Sequence, residues 1–306
     1  MAALGNHPPV GGLPLRSKAR FAFSLTGNYK VPTPSLLKEL FGGLFAAVFP
    51  TDCLLCEREL TEPGGASICR VCWESLQPWL GPSCDRCGLP FGSLQAADFV
   101  DSLCASCRQG EQDFDLARSY GLYTGNLRKA ILHLKFRGRE YLGNRLGALL
   151  ARAWEALPEP DSPLVAPVPL HPSRRRQRGF DQAELLARGL VQRLRREGRL
   201  RGLQLVPGLL RRVRATIPQV GLSASARREN VSGVFCVVRS EQVRNRTVVL
   251  IDDVMTTGAT LSACATALKQ AGAWRVLALS LARAAPQFPD TGALDLGAPI
   301  DELGSN

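Results

Sequence analysis

Eight of the ten cysteines in this 306-residue chain fall between positions 53 and 107, as four Cys-x-x-Cys pairs. The pairs are Cys53/Cys56, Cys69/Cys72, Cys84/Cys87 and Cys104/Cys107. Tetrahedral zinc takes four thiolates, and a two-residue gap lets both sulfurs of a pair reach one ion. Twelve residues separate the first two pairs and sixteen the last two, and both spacings suit a zinc ribbon. The block is rich in turn formers and poor in long apolar runs. It is therefore expected to fold around two structural Zn2+ ions, in closed sites with no ligand position left for catalysis. Spacing alone leaves sequential and crossed pairing both open, and does not exclude an iron–sulfur cluster. Cys236 and Cys264 stand apart and read as small buried core residues.

Disulfides are the weaker reading of these pairs. The first ten residues lack a basic region followed by an apolar core, so no secretory signal is expected. The apolar stretch at 41–49 is far short of the ~20 residues a membrane-spanning helix needs. A cytoplasmic chain without membrane insertion is expected, and in that reducing compartment paired cysteines hold metal.

Residues 1–34 are rich in Gly, Pro, Asn and Ser and read as a disordered leader. Residues 35–50 read as a short amphipathic helix. Past a hinge at 108–114 the pattern changes. Strand-like segments at 117–123, 164–169, 203–213, 234–238, 248–251 and 276–281 alternate with helix-like ones at 127–136, 141–157, 181–196 and 257–271, the last with Gly272 as its C-cap. Alternation of this kind predicts an α/β domain over 115–285 with a doubly wound parallel sheet. A loose tail follows at 286–306.

Residues 248–260 read Val-Val-Leu-Ile-Asp-Asp-Val-Met-Thr-Thr-Gly-Ala-Thr. The apolar run suits a strand buried on both faces, ending at Ile251. Open α/β sheets bind ligands beyond the C-terminal ends of their strands, and helix N-termini hold phosphate. Gly258 allows close backbone approach. One loop could thus hold a sugar phosphate on its Thr/Gly side, leaving Asp252 and Asp253 for sugar hydroxyls or a phosphate-bound Mg2+. A second strand, at 164–169, runs into a proline-constrained turn of Val168, Pro169, Leu170 and His171. Backbone N–H groups of that turn, and the arginines from Arg174 to Arg178, could face a pyrophosphate leaving group. His171 is either a neighbour of that group or only a turn residue.

The 248–260 run resembles the signature of type I phosphoribosyltransferases: four hydrophobic residues, two acidic ones, then a Thr/Gly loop. The resemblance implies phosphoribosyl pyrophosphate (PRPP) as ligand, with Mg2+. Asp252 and Asp253 would be the catalytic pair at the ribose hydroxyls. Val254, Met255, Thr256, Thr257, Gly258, Ala259 and Thr260 would form the binding loop. Purine-using members commonly carry Asp where Thr256 stands, which argues against a purine acceptor.

The whole chain from about 40 to 285 resembles the ComF family, which joins a double zinc ribbon to a phosphoribosyltransferase domain. The matching residues, besides the cysteine pairs and the PRPP loop, are Tyr123-Thr124-Gly125, Leu134-Lys135-Phe136-Arg137-Gly138, residues 167–171, Arg178-Gly179-Phe180-Asp181-Gln182 and Arg227-Arg228-Glu229-Asn230-Val231. Asp181 departs from the family's usual Asn, which puts an amide-donor role there in doubt. The resemblance implies a role in DNA uptake, with single-stranded DNA and a competence helicase as partners. It leaves two readings: a transferase with an unidentified acceptor, or a non-catalytic PRPP-sensing protein that binds single-stranded DNA. The net charge of +11 suits polyanionic partners. The arginines at 174–178, 193–201 and 211–214 are candidate groove residues, although few aromatic residues interleave with them for base stacking.

Overall fold

The computed structural model describes residues 52–60, 67–92, 102–136, 139–199, 202–213, 233–285 and 288. The expected leader, the helix at 35–50, nearly all of the tail, the motif at 227–231, and Arg137, Arg201 and Arg214 lie outside them.

Five parallel strands form the central sheet, in the order β1-β7-β6-β2-β3. They are β1 (Leu116–Leu122), β2 (Leu164–Pro167), β3 (Gln204–Leu205), β6 (Thr247–Met255) and β7 (Arg275–Arg283). The central pair, β6 and β7, are nine residues each and dominated by Val, Leu and Ala. Such sequences suit strands buried on both faces. Alternation then divides the core in two. Val249, Ile251, Leu277 and Leu279 point into one cluster. It is built with α4 (Tyr141–Trp154) and α6 (Gln182–Arg196), whose apolar residues recur at helical spacing. Val248, Leu250, Val276 and Ala278 point into the other, built with α8 (Ala259–Gln270). A β-carbon on Gly147 of α4 would stand 2.2 Å from the Leu186 carbonyl oxygen. A glycine there therefore sets how closely α4 and α6 can pack.

The segment expected as one strand at 203–213 is divided. Pro207 has no N–H to donate, and Gly208 sits at φ +72°, so the chain turns between them. Leu205 ends β3, and β4 (Leu210–Arg212) pairs antiparallel with β5 (Phe235–Val237) in a separate two-stranded sheet. Strand β6 runs four residues past Ile251, held by β7 as far as the Met255–Arg283 pair. The arginines at 174–178 lie on a helix, α5 (Pro172–Arg178), with proline in its first turn and His171 as its N-cap.

The cysteine-rich region lies along β1, an edge of the sheet. Trp79 N–H donates to the Tyr120 carbonyl at 2.8 Å, and Ala117 N–H to the Arg86 carbonyl at 2.8 Å. These contacts cover an edge that would otherwise present unpaired backbone groups. Cys53, Leu55, Ile68 and Cys72 join the core on one face of the sheet. Cys84, Cys87, Cys104 and Cys107 join the core on the other. The two halves of the region thus grip the β1 edge from both sides. Two short helices belong to it, α1 (Arg70–Glu74) and α2 (Ala105–Arg108). The remaining helices are α3 (Gly125–Leu134) and α7 (Ser240–Val243). Among the described residues no helix is long and apolar enough to cross a membrane.

Candidate functional site

The cysteines gather sequentially. Cys53, Cys56, Cys69 and Cys72 form one cluster and Cys84, Cys87, Cys104 and Cys107 the other, with the ligand atoms of each within 4.8 Å of one another. None of the eight is in a disulfide. Sulfurs at the corners of a tetrahedron around zinc stand about 3.8 Å apart, given a Zn–S bond of about 2.3 Å. Cys56 and Cys69 sulfurs are 3.8 Å apart, and Cys87 and Cys104 sulfurs 3.5 Å apart. Backbone N–H groups of Cys69 and Cys104 donate to the sulfurs of Cys53 and Cys84, each at 3.3 Å. Burial pushes the Cys53 thiol up, but N–H donors from Cys69, Leu55 and Cys56 outweigh it and bring the thiol down to about 6. Both clusters therefore fit a single tetrahedral Zn2+, and their size leaves no room for a multi-iron cluster.

Asp252 and Asp253 lie inside β6, not beyond its end, and strand alternation turns them to opposite faces. Asp253 is 8% exposed. Its Oδ2 accepts from Gln182 Nε2 at 3.3 Å and pairs with Lys135 Nζ at 3.5 Å. Asp252 is half-buried, and its Oδ1 accepts the Asp253 N–H at 2.8 Å. Burial, then the Asp253 charge, push the Asp252 carboxyl well above the ordinary range. The charges of Arg212 and Asp252 reach one another, and burial pushes the Arg212 guanidinium down, with Arg174 adding to that. Cys264 is fully buried in α8 and its thiol is pushed up by burial.

Val254 and Met255 complete β6. Thr256, Thr257 and Gly258 then turn the chain into α8, with Ala259 and Thr260 in its first turn. Gly258 has φ +84°, a conformation that side chains with a β-carbon resist. That carbon would also stand 2.8 Å from Met255 Cε and 2.9 Å from Gln112 Oε1. The turn is held from below by two side chains. Gln112 Nε2 donates to the Thr257 carbonyl at 3.2 Å, and Arg283 Nη1 donates to the Thr256 carbonyl. The result is a helix N-terminus opening beside a carboxylate pair, suited to a phosphorylated, hydroxyl-bearing ligand.

The turn after β2 is arranged differently from expectation. Val168 N–H donates to the Ile251 carbonyl at 2.9 Å, Pro169 has none, and Leu170 N–H donates to Asp181 Oδ2 at 3.1 Å. An anion at this turn would meet side chains rather than these amides. His171 caps α5, its Nδ1 accepting the Ser173 N–H at 3.3 Å. Asp181 caps α6, its Oδ1 accepting the Glu184 N–H at 3.3 Å. Both carboxylate oxygens of Asp181 thus act as acceptors, and no amide donor is used there. Pro167, Leu170, Arg175, Arg176, Arg211 and Arg212 line a cavity of about 570 Å³ beside this turn. Arg178 ends α5. A second cavity, of about 550 Å³ beside β3, is lined by Arg195, Arg239, Arg244 and Arg246.

Four residues that hold the acidic pair and the loop carried no role in the sequence reading: Lys135, Gln182, Gln112 and Arg283. Lys135 and Gln182 stood in matched motifs whose purpose pattern alone does not reveal. An arginine ending an apolar strand run was the only signal for Arg283, and Gln112 had none.

Two family models match the chain: a double zinc ribbon domain over residues 44–108 and a phosphoribosyl transferase domain over 200–292. Competence protein F of Haemophilus influenzae is 30% identical over 224 residues, covering 71% of this chain and 90% of that protein. DNA utilization protein YhgH of Escherichia coli K12 is 32% identical over 241 residues, covering 76% and 97%. Competence protein ComFC of Bacillus subtilis is 24% identical over 236 residues, covering 72% and 89%.

Proposed function

This chain belongs to the ComF family of competence protein F, and from that premise we propose that it binds PRPP at the C-terminal end of β6 and acts in the uptake or use of DNA. The observation that carries the reading is the acidic pair followed by the Gly258 turn and the start of α8. In this reading the N–H groups and hydroxyls of Thr256, Thr257 and Thr260 hold the 5-phosphate, with Gly258 and Ala259 giving backbone access. Asp252 and Asp253 hold the ribose hydroxyls. Val254 and Met255 keep the strand straight up to the turn. The pyrophosphate lies towards Val168, Pro169, Leu170 and His171, where Arg178 and the other α5 arginines offset its charge. The residues divide accordingly into a metal-binding unit at 53–107 and a ligand-binding unit at 115–285.

The donor set also fits Mg2+. Asp253 already has Lys135 and Gln182 as partners, so Asp252, whose charge is poorly compensated, is the protein oxygen that would hold the ion. Bound there, Mg2+ would neutralise charge on the pyrophosphate. The protein's own part is to orient the ribose and exclude water from its anomeric carbon. PRPP added with candidate nucleobases, amines or nucleic acids should release pyrophosphate if the chain is a transferase. PRPP binding with no release from any acceptor would leave the sensing role and remove the transferase one.

A DNA contact is the second part of the reading. The two arginine-lined cavities support it, as does Trp274, which is 74% exposed and whose backbone N–H donates to the Arg246 carbonyl at 3.0 Å. An exposed aromatic beside basic residues is the combination that single strands use. Electrophoretic shift of single-stranded DNA tests it, and an unshifted strand at low salt would remove it.

A further inference from the structure

Arg283 is the last residue of β7 and is only 4% exposed. A buried guanidinium needs a compensating charge, and among the described residues no carboxylate pairs with it. The compensation comes from sulfur. Arg283 Nη2 donates to Cys87 Sγ at 3.8 Å. Its other terminal nitrogen, Nη1, donates to the Thr256 carbonyl at the start of the phosphate turn. One rigid, planar group therefore touches the second cysteine cluster at one end and the turn at the other. A second strut runs beside it: Gln112 Nε2 donates both to Ser106 Oγ of α2, at 3.1 Å, and to the Thr257 carbonyl, at 3.2 Å.

The first cluster is placed otherwise. Its neighbourhood meets α3 and α4, through Lys129 Nζ on the Leu55 carbonyl at 3.4 Å and Arg145 over the Trp73 ring at 4.2 Å. Neither Gln112 nor Arg283 reaches it. Four thiolates around one Zn2+ carry a net charge of −2, and that charge is what a buried arginine can answer. Neutral thiols cannot, so a metal-free second cluster would leave Arg283 with an uncompensated charge.

We propose that Arg283 is a positioning residue that fixes the phosphate turn against the metal-loaded second cluster, so that ligand binding depends on metal in that cluster and not only on the turn's own residues. This rests on the PRPP reading above. Only the second thiolate cluster is joined to the turn in this way, directly by the Arg283 guanidinium and beside it by the Gln112 amide.

The test uses full-length protein loaded with Co2+, whose thiolate absorption reports on its ligands. Wild-type protein, Arg283→Met and Arg283→Lys are each titrated with PRPP, with calorimetry in parallel and the metal content of each variant measured. Arg283→Met should bind PRPP ~10- to 100-fold more weakly, the size expected for a lost charged hydrogen bond. PRPP should perturb the cobalt–thiolate absorption of wild type and leave that of Arg283→Met unchanged. Arg283→Lys keeps the charge without the fork and should bind with intermediate affinity. If Arg283→Met does not fold, Arg283→Lys carries the comparison. Equal PRPP affinity and equal spectral response in wild type and variant would overturn this inference alone. A wild-type protein that binds no PRPP would overturn the functional reading and this inference with it.

Discussion

Asp252 concentrates the tension between binding and stability. Its carboxyl is pushed well above the ordinary value of about 3.9 by burial and by Asp253. A carboxyl with a raised pKa holds its proton more tightly in the folded chain than in the unfolded one. Between the ordinary and the raised value the folded state therefore carries more protons, and stability falls as pH rises through that window. Asp252→Asn should remove this fall. The unliganded variant is expected to melt at a higher temperature than wild type at neutral pH while losing PRPP binding. A variant that melts lower across the whole pH range would contradict the assignment. Asp181 makes a second residue-level case. Its two oxygens accept N–H groups from Leu170 and Glu184, while burial pushes its own carboxyl up. Asp181→Asn removes the buried charge and one acceptor together, so its stability should lie within about 1 kcal/mol of wild type. Asp181→Ala leaves both N–H groups without that acceptor and should cost about 2 kcal/mol, read from denaturant unfolding.

At the scale of elements, what could be read from the sequence followed periodicity. The helices α3, α4, α6 and α8 lie where apolar spacing put them, because each buries one continuous face, and the strands β1, β2, β6 and β7 lie where apolar runs put them, with β6 and β7 buried on both faces. The split of 203–213 was not read. Its only marker was Pro207-Gly208, a turn signal inside an otherwise strand-like run. The helix at α5 was also missed, since six polar or basic residues in seven give no apolar face to detect. The cysteine spacing suited two metal sites but left their pairing open. Folding closed that question by placing one cluster on each face of the sheet. Metal should therefore guard the β1 edge. Removing it with a chelator should free that edge, and light scattering should rise as exposed backbone pairs between molecules. Scattering unchanged by full metal removal would count against this placement.

For the whole molecule, net charge had said only that polyanions suit this chain. Folding sorts the arginines into two lined cavities, one at the C-terminal end of β2 and one beside β3. No periodicity in the sequence announces that grouping, because it joins α5 to the paired strands β4 and β5 and α6 to residues 239–246. If single-stranded DNA follows these arginines, its affinity should fall linearly on a log–log plot against salt, and Arg175→Ala with Arg176→Ala should make the slope shallower by about 1 to 2. An unaltered slope would place the strand elsewhere. PRPP affinity itself is the most direct test of how the molecule works, measured by calorimetry on wild type and on the Asp252→Ala, Asp253→Ala double variant, with metal content measured on both. Wild type should bind PRPP and the double variant should not, each holding two zinc ions as the two clusters require. Equal binding by the two proteins, at equal zinc content, would contradict the assignment of the acidic pair.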